Sequence, residues 1–171
     1  PLEPGPIAPP GNLSMASAIR DSAPDAWGRR VILNKTFGVK GEALEGLELD
    51  ELVFLLESGS DRIGALDFQT SATDYVPRGG GHASLEELLA SAERVEKNLP
   101  LTFELDQALH HGSSIGGARP KALIVDGKRK YVAKFSSGND TYAVVKGEYI
   151  AMRLAELAGL SVAPVRLAHA A

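Results

Sequence analysis

A stretch of small residues between Gly112 and Lys121 (GSSIGGARPK) is the part of this sequence best suited to chemistry. Its glycines allow a ligand to approach the backbone closely, and backbone amides together with a lysine are common partners of phosphate groups. Two further candidates follow in the chain, Lys134 on a predicted strand and Glu148 on a predicted helix. Phosphate binding is therefore the first chemistry to test against the pattern.

Two familiar phosphate-binding motifs do not fit this stretch. A Walker loop needs Lys and then Ser or Thr after its last glycine, but Ala118 and Arg119 follow Gly117. A dinucleotide-binding loop opens a helix, whereas this stretch leads into the apolar, strand-like residues 122–125. The order of glycine-rich loop, strand lysine and helix glutamate agrees instead with the protein-kinase arrangement, in which the glutamate holds a phosphate-binding lysine.

Each of these residues also has an ordinary explanation. A Gly/Ser cluster is often only a connector, a lysine at a strand end is usually solvated, and a helix glutamate usually faces water. Glu148 stands out because all its neighbours one helical turn away are apolar. They are Val144, Val145, Ala151 and Met152. A carboxylate in an apolar stripe needs a nearby cation, so the sequence predicts a Lys134–Glu148 pair.

The hydrophobic periodicity places these residues in an α+β protein. Helices are predicted over residues 22–37, 47–57, 84–95, 101–109 and 142–158, and strands over residues 62–68, 122–125, 131–135 and 162–167. Ser22 is the predicted N-cap of the first helix, and Ser84 with Glu87 predicts a capping box. Asp126 and Gly127 predict a hairpin turn between two strands. Residues 1–13 are rich in proline and linker-like, and residues 76–83 are a predicted loop.

Composition narrows the class of protein. The chain has 171 residues, 44% of them hydrophobic, which is enough to bury a core. A net charge of −4 argues against binding nucleic acid unaided, because such binding depends on clustered Lys and Arg. With no cysteine and no long apolar run, we expect a cytoplasmic protein without disulfides or membrane contact. The adjacent His110 and His111 point apart on a helix, so no metal site is predicted.

Several motifs resemble those of the HipA family of serine/threonine protein kinases, the toxins of HipBA-type bacterial toxin–antitoxin systems. They are DSAPDAWGRR (residues 21–30), DRIGALDF (61–68), SSIGGARPKALI (113–124), YVAKF (131–135) and VVKGEYIAMRLAELAGL (144–160). The resemblance runs from about residue 12 to residue 167. It implies a small N-terminal α/β subdomain over residues 1–110, followed by a protein-kinase-like N-lobe over residues 111–171.

The resemblance also implies a site for ATP with Mg²⁺. The residues expected to lie over the phosphates are Ser114, Ile115, Gly116, Gly117, Ala118, Arg119, Pro120 and Lys121. Lys134 would contact the phosphates, Glu148 would orient Lys134, and Ser114 would be autophosphorylated, with Ser113 as the alternative. The metal ligands and the catalytic Asp and Asn belong to a following lobe, and no Asp or Asn occurs after Asp140. We therefore expect an N-terminal portion of a longer kinase, inactive alone.

The implied activity is phosphorylation of a translation component, such as an aminoacyl-tRNA synthetase, with growth arrest and persistence as the outcome. The implied partner is a HipB-like DNA-binding antitoxin, so contact with DNA would be indirect. The alternative is a non-catalytic interaction module that docks such an antitoxin. In the motif Trp27-Gly28-Arg29-Arg30, we expect a packed tryptophan beside two solvated arginines.

Overall fold

The computed structural model describes residues 8–9, 11, 13–37, 49–62, 65–79, 83–102, 105 and 117–170. Its elements are α1 (Ser17–Asp21), α2 (Ala26–Phe37), α3 (Glu51–Glu57), α4 (Leu85–Glu96), β1 (Lys121–Asp126), β2 (Arg129–Lys134) and α5 (Val144–Leu157). Helices combined with a two-stranded antiparallel sheet confirm the predicted α+β class.

Several predictions concern residues outside the described ranges. These are most of the linker over residues 1–13, residues 47–48, residues 80–82 of the loop, most of the predicted helix over residues 101–109, and His82, His110 and His111. Ser113, Ser114, Ile115 and Gly116 of the glycine-rich loop also lie outside them. The described part of that loop begins at Gly117.

Helix α4 begins with the predicted capping box. The Ser84 hydroxyl accepts the Glu87 amide at 3.1 Å, and the Glu87 carboxylate accepts the Ser84 amide at 2.8 Å. These two bonds satisfy amides that the first helical turn leaves without partners. Leu88, Ala92 and Val95 then recur on one face and are buried. The same helix therefore supplies a wall of the hydrophobic core.

The region before α2 differs from the prediction. Ser22 is the C-cap of the short helix α1, and its hydroxyl donates to the Ile19 carbonyl at 2.6 Å. The predicted N-cap role of Ser22 is wrong, because Pro24 disfavours helical geometry at Ala23 and separates α1 from α2. Helix α2 starts at Ala26 and ends at Phe37, the predicted last residue.

Helix α3 also begins later than predicted. Asp50 is its N-cap, and one carboxylate oxygen of Asp50 accepts the Leu52 amide at 2.8 Å. Aspartate is among the best N-cap residues, which explains why the helix starts at Glu51. It ends at Glu57, immediately before the predicted stop at Ser58 and Gly59.

The β1–β2 hairpin is confirmed, with Asp126 opposite Arg129 and Gly127 at φ +60° in the turn. The other two predicted strands are wrong in their described residues, since Arg62, residues 65–68 and residues 162–167 are irregular. Alternation of apolar residues favours a strand only where a neighbouring strand accepts its hydrogen bonds. No described strand pairs with either segment.

A hydrophobic core joins α2 and α4 to the hairpin. Its buried members are Trp27, Val31, Leu88, Ala92, Val95, Ala122 and Phe135. The core therefore draws residues from both sides of the predicted boundary near residue 110. Phe135 enters the core and Ala133 packs against it. Tyr131 does not, because it is 37% exposed and its ring lies 5.9 Å from the Arg166 guanidinium carbon.

Candidate functional site

Two lysines define the candidate site on the hairpin. Lys121 and Lys134 are direct partners in the antiparallel register, so their side chains leave the sheet on the same face. The next pair, Ala122 and Ala133, lies on the opposite face, toward the core. Lys121 is 5% exposed, whereas the Lys134 side chain is 44% exposed. The site thus combines a buried ammonium group with an accessible one.

The accessible lysine is paired with helix α5. Lys134 Nζ forms a salt bridge with Glu148 Oε1, which is the pair expected from the sequence. The expected burial of Glu148 in an apolar stripe is wrong, since its side chain is 44% exposed. None of the residues of α5 is buried, so the apolar stripe around Glu148 remains in contact with water. The ion pair therefore orients Lys134 without removing it from solvent.

The buried lysine has no such partner in the part of the chain that the structure describes. Burial lowers the pKa of Lys121, and the neighbouring Lys134 lowers it further, while Asp25 and Glu148 act in the opposite direction. Lys121 Nζ makes no hydrogen bond or ion pair with another described residue. A buried ammonium opposite a second lysine is electrostatically unfavourable. An anion bound at this face would compensate both charges.

Gly117 lies directly over the Lys121 ammonium. Its φ of +106° is a backbone conformation that favours glycine, and a Cβ at this position would lie 2.7 Å from Lys121 Nζ. The loop therefore passes so close to the lysine that no larger residue fits without displacing it. The sequence predicted that the glycines of the loop allow such a close approach of the backbone, and Gly117 is the glycine of the loop that the structure describes.

The N-terminus of α2 holds this glycine in place. Gly117 N–H donates to Asp25 Oδ2 at 2.5 Å, and Trp27 N–H donates to the Gly117 carbonyl at 3.1 Å. The indole Nε1 of Trp27 donates to the Lys121 carbonyl at 3.0 Å. Sequence reasoning missed these contacts, because they join residues ninety or more positions apart. The one available signal was the DSAPDAWGRR motif, which contains both Asp25 and Trp27.

Arg119, another predicted loop residue, is held by the segment after β2. Its NH2 nitrogen lies 2.7 Å from both carboxylate oxygens of Asp140, and Asp140 also accepts the Ser137 amide at 3.0 Å. The hydrogen bond from Arg119 lowers the pKa of Asp140. Glu96 at the end of α4 accepts the Gly138 amide at 3.2 Å. Arg119 therefore links the loop to the β2–α5 connection rather than pointing freely toward a ligand.

The arginines of the first half are structural. Arg29 reaches both oxygens of Glu51 at 2.7 and 2.8 Å and lies over the Phe54 ring at 4.5 Å. Arg30 donates to the carbonyls of Val95 and Glu96 at 3.4 and 3.3 Å. The prediction of two solvated arginines is wrong, because carbonyls and a carboxylate within reach bind them. Trp27 is fully buried, as predicted.

The DRIGALDF motif forms a second charged cluster. Arg62, whose side chain is 2% exposed, lies 3.4 Å from Asp67, and Arg78 lies 2.7 Å from the same carboxylate. Burial alone would raise the pKa of Asp67, but hydrogen bonds from Ser60 and the Phe68 amide, together with Arg78, lower it to about 2. Arg62 also donates to the Ser22 carbonyl at 3.0 Å. This motif therefore fastens an irregular segment to the helices.

A shallow cavity of about 510 Å³ lies along residues 20–29, at the start of α2, rather than at the lysines. Its lining residues are Arg20, Asp21, Ala23, Pro24, Asp25, Ala26 and Arg29. Asp25 contributes to both places, since it also contacts Gly117. We place the candidate site at the lysines, because a buried lysine with no hydrogen-bond or ion-pair partner among the described residues requires a ligand more strongly than an open depression does.

Metal-binding clusters and membrane-spanning helices do not occur in the described ranges. Within them, no three His, Cys, Asp or Glu side chains are grouped so that they could hold a metal ion. None of the described helices is long and apolar enough to cross a bilayer.

The fold and the site define an α+β protein in which Gly117 lies over Lys121, and Lys134, the strand partner of Lys121, is paired with a helix glutamate. Comparison with protein families agrees with this arrangement. The family model for the HipA-like C-terminal domain matches residues 113–171, which include the loop, both lysines and Glu148. The match confirms the resemblance to the HipA family over this part of the chain. No curated protein and no solved structure matches the chain.

Proposed function

We propose that this chain is part of a HipA-like serine/threonine protein kinase, and that residues 114–121 together with Lys134 bind the phosphates of ATP. The observation that carries the proposal is the placement of Lys121 opposite Lys134, with Lys134 also paired to Glu148. Of these two adjacent ammonium groups only that of Lys134 is paired with a described carboxylate, and a triphosphate would supply further negative charge to both. The loop–lysine–glutamate order is that of protein kinases.

The described residues fit such a ligand. Lys121 is only 5% exposed and has no hydrogen-bond partner for its ammonium among the described residues, and Gly117 leaves room where any Cβ would be too close. ATP with Mg²⁺ would supply the phosphoryl group to be transferred. Lys121 and Lys134 would balance the phosphate charge, and Glu148 would orient Lys134. No residue of this chain is assigned as catalytic base or as a ligand of Mg²⁺.

The wider role in the proposal is what the sequence resemblance to the HipA family implies. The acceptor would be a protein serine on a translation component such as an aminoacyl-tRNA synthetase, and the partner would be a HipB-like DNA-binding antitoxin. Ser114 would be autophosphorylated. A phosphate on Ser114 adds up to two negative charges beside those of ATP, so repulsion would move the loop out of the nucleotide site.

The test is the intact mass of the full-length protein after incubation with Mg-ATP, with Ser114→Ala and Ser113→Ala variants beside it. We expect the wild type and Ser113→Ala to gain one phosphate and Ser114→Ala to gain none. If the gain of phosphate is lost only in Ser113→Ala, the modified residue is Ser113 instead of Ser114. No gain, combined with no nucleotide binding, would overturn the kinase proposal in favour of a non-catalytic module that docks the antitoxin.

A further inference from the structure

We propose that Asp25 and Trp27, at the N-terminus of α2, are positioning residues that hold Gly117, the described glycine of the glycine-rich loop, over Lys121. The effect on ATP rests on the proposed function, whereas the tether itself can be tested without any nucleotide. The three contacts involved come from a part of the chain far from the loop in sequence. They give the first half of the protein a direct part in shaping the site.

The first contact pair fixes the peptide groups around Gly117. Its N–H donates to Asp25 Oδ2 at 2.5 Å, and its carbonyl accepts the Trp27 N–H at 3.1 Å. Glycine has more backbone freedom than any other residue, so an unrestrained loop would sample many conformations. Binding both the donor and the acceptor of one glycine selects one orientation of the loop in advance of the ligand.

The second contact fixes the other end of the segment. The Trp27 indole donates to the Lys121 carbonyl at 3.0 Å, and Trp27 is fully buried in the core. Residues 117 and 121 are therefore both fastened to one helix N-terminus. Since the Lys121 side chain lies beneath Gly117, the same tether sets the distance between the loop and the buried ammonium.

The Asp25 carboxylate also acts electrostatically on Lys121, together with Lys134, Arg119 and Glu148. A carboxylate whose main interaction was with this ammonium would compete with phosphate for its charge. The geometry favours positioning instead, since Asp25 hydrogen-bonds the Gly117 amide and makes no hydrogen bond with the Lys121 ammonium. The two roles predict opposite changes in affinity when Asp25 is removed, so one experiment separates them.

The tether is tested by amide hydrogen exchange in the ligand-free, full-length protein. We expect Asp25→Ala to increase exchange at Gly117 about five- to tenfold, the loss expected for one hydrogen bond. Asp25→Asn keeps an acceptor oxygen and should retain most of the protection. The matched control is Asp50→Ala, which removes the same charge and a comparable bond, Asp50 Oδ1 to the Leu52 amide at 2.8 Å, away from the loop. Unchanged exchange in Asp25→Ala would overturn the tether.

The consequence for the site is tested by calorimetric titration with Mg-ATP. We expect Asp25→Ala to raise the Kd about five- to tenfold, with Asp25→Asn and Asp50→Ala close to wild type. Tighter binding in Asp25→Ala would show that Asp25 competes with phosphate and would overturn positioning. Weaker binding in Asp25→Asn with intact protection at Gly117 would assign the effect to charge and would overturn positioning as well. If the wild type binds no ATP, the proposed function fails, while the exchange result still decides the tether.

Discussion

Lys121 lies directly opposite Lys134 in the hairpin, on the face turned away from the core, and Lys121 is almost completely buried. Like charges at directly opposed positions destabilise an antiparallel pair, and burial of one of them adds to the penalty. In the ligand-free protein these two like charges therefore lower the free energy of unfolding, and a bound anion would offset that loss.

Replacing the buried lysine should separate stability from binding. We expect Lys121→Met to stabilise the ligand-free protein by ~1 kcal/mol, because an apolar side chain of similar length removes a buried charge that has no ion-pair partner among the described residues. The same change should weaken ATP binding about tenfold or more. Urea unfolding and calorimetric titration measure the two effects, and the exposed turn residue Lys128, changed to Met, is the control.

The pH dependence of stability provides an independent measure of the Lys121 charge. Since burial and Lys134 lower its pKa in the folded state, the unfolded state holds more protons at alkaline pH. At neutral pH Lys121 is charged in both states, and the cost of burying its charge lowers the free energy of unfolding in full. As the pH approaches the usual lysine pKa of 10.5, the folded state loses this proton first, so the free energy of unfolding should rise. Lys121→Met should remove this rise. An unchanged profile would contradict the assignment of a buried charge.

The exposed ion pair should matter for activity rather than for folding. Lys134→Ala is expected to lower kinase activity of the full-length protein about 100-fold, the usual effect of losing one preorganised charge on a transferred group. Exposed pairs contribute about 0–1 kcal/mol, so unfolding and antitoxin binding should change little. Glu148→Gln should give a smaller loss of activity. Glu156→Gln, on the same helix, is the control, and retained activity in Lys134→Ala would refute the role of that residue.

Gly117 should not tolerate a side chain. Gly117→Ala places a Cβ 2.7 Å from Lys121 Nζ in a backbone conformation with φ +106°, so we expect ~1–2 kcal/mol of destabilisation and about tenfold weaker ATP binding. Gly138→Ala is the control, because nothing lies within 4 Å of the added Cβ. Thermal unfolding and titration would measure both effects. Equal behaviour of the two variants would mean that the loop does not need glycine at 117.

The Asp67 cluster should govern stability in acid. A carboxyl whose pKa falls from 3.8 to about 2 on folding contributes roughly 2 kcal/mol above pH 4, and this contribution is lost as the pH falls through 2. Asp67→Asn should therefore be less stable than wild type at pH 7, with the difference shrinking toward pH 2. Urea unfolding at several pH values measures it. Asp74→Asn, on an exposed loop outside this cluster, is the control.

Interactions between residues close in sequence were sufficient to predict much of the secondary structure. The capping box of Ser84 and Glu87, the helix end at Phe37 and the turn at Gly127 each depend on residues within a few positions of one another. The Lys134–Glu148 contact also followed from local patterns, because it joins the end of a hairpin to the next helix. The predicted burial of Glu148 was wrong because the exposure of a helix face depends on what packs against it.

What the sequence determined by itself is the set of parts: the α+β class, the hairpin and its lysines, and the order of loop, lysine and glutamate. Only the tertiary structure decided that Lys121 is buried, that Asp25 and Trp27 fasten the loop, and that the described part of residues 61–68 is held by side chains instead of a neighbouring strand. The physical reason is the separation in sequence over which each kind of interaction acts. Capping, turns and helical periodicity act between near neighbours, whereas burial and contacts across ninety residues exist only after the chain has closed on itself.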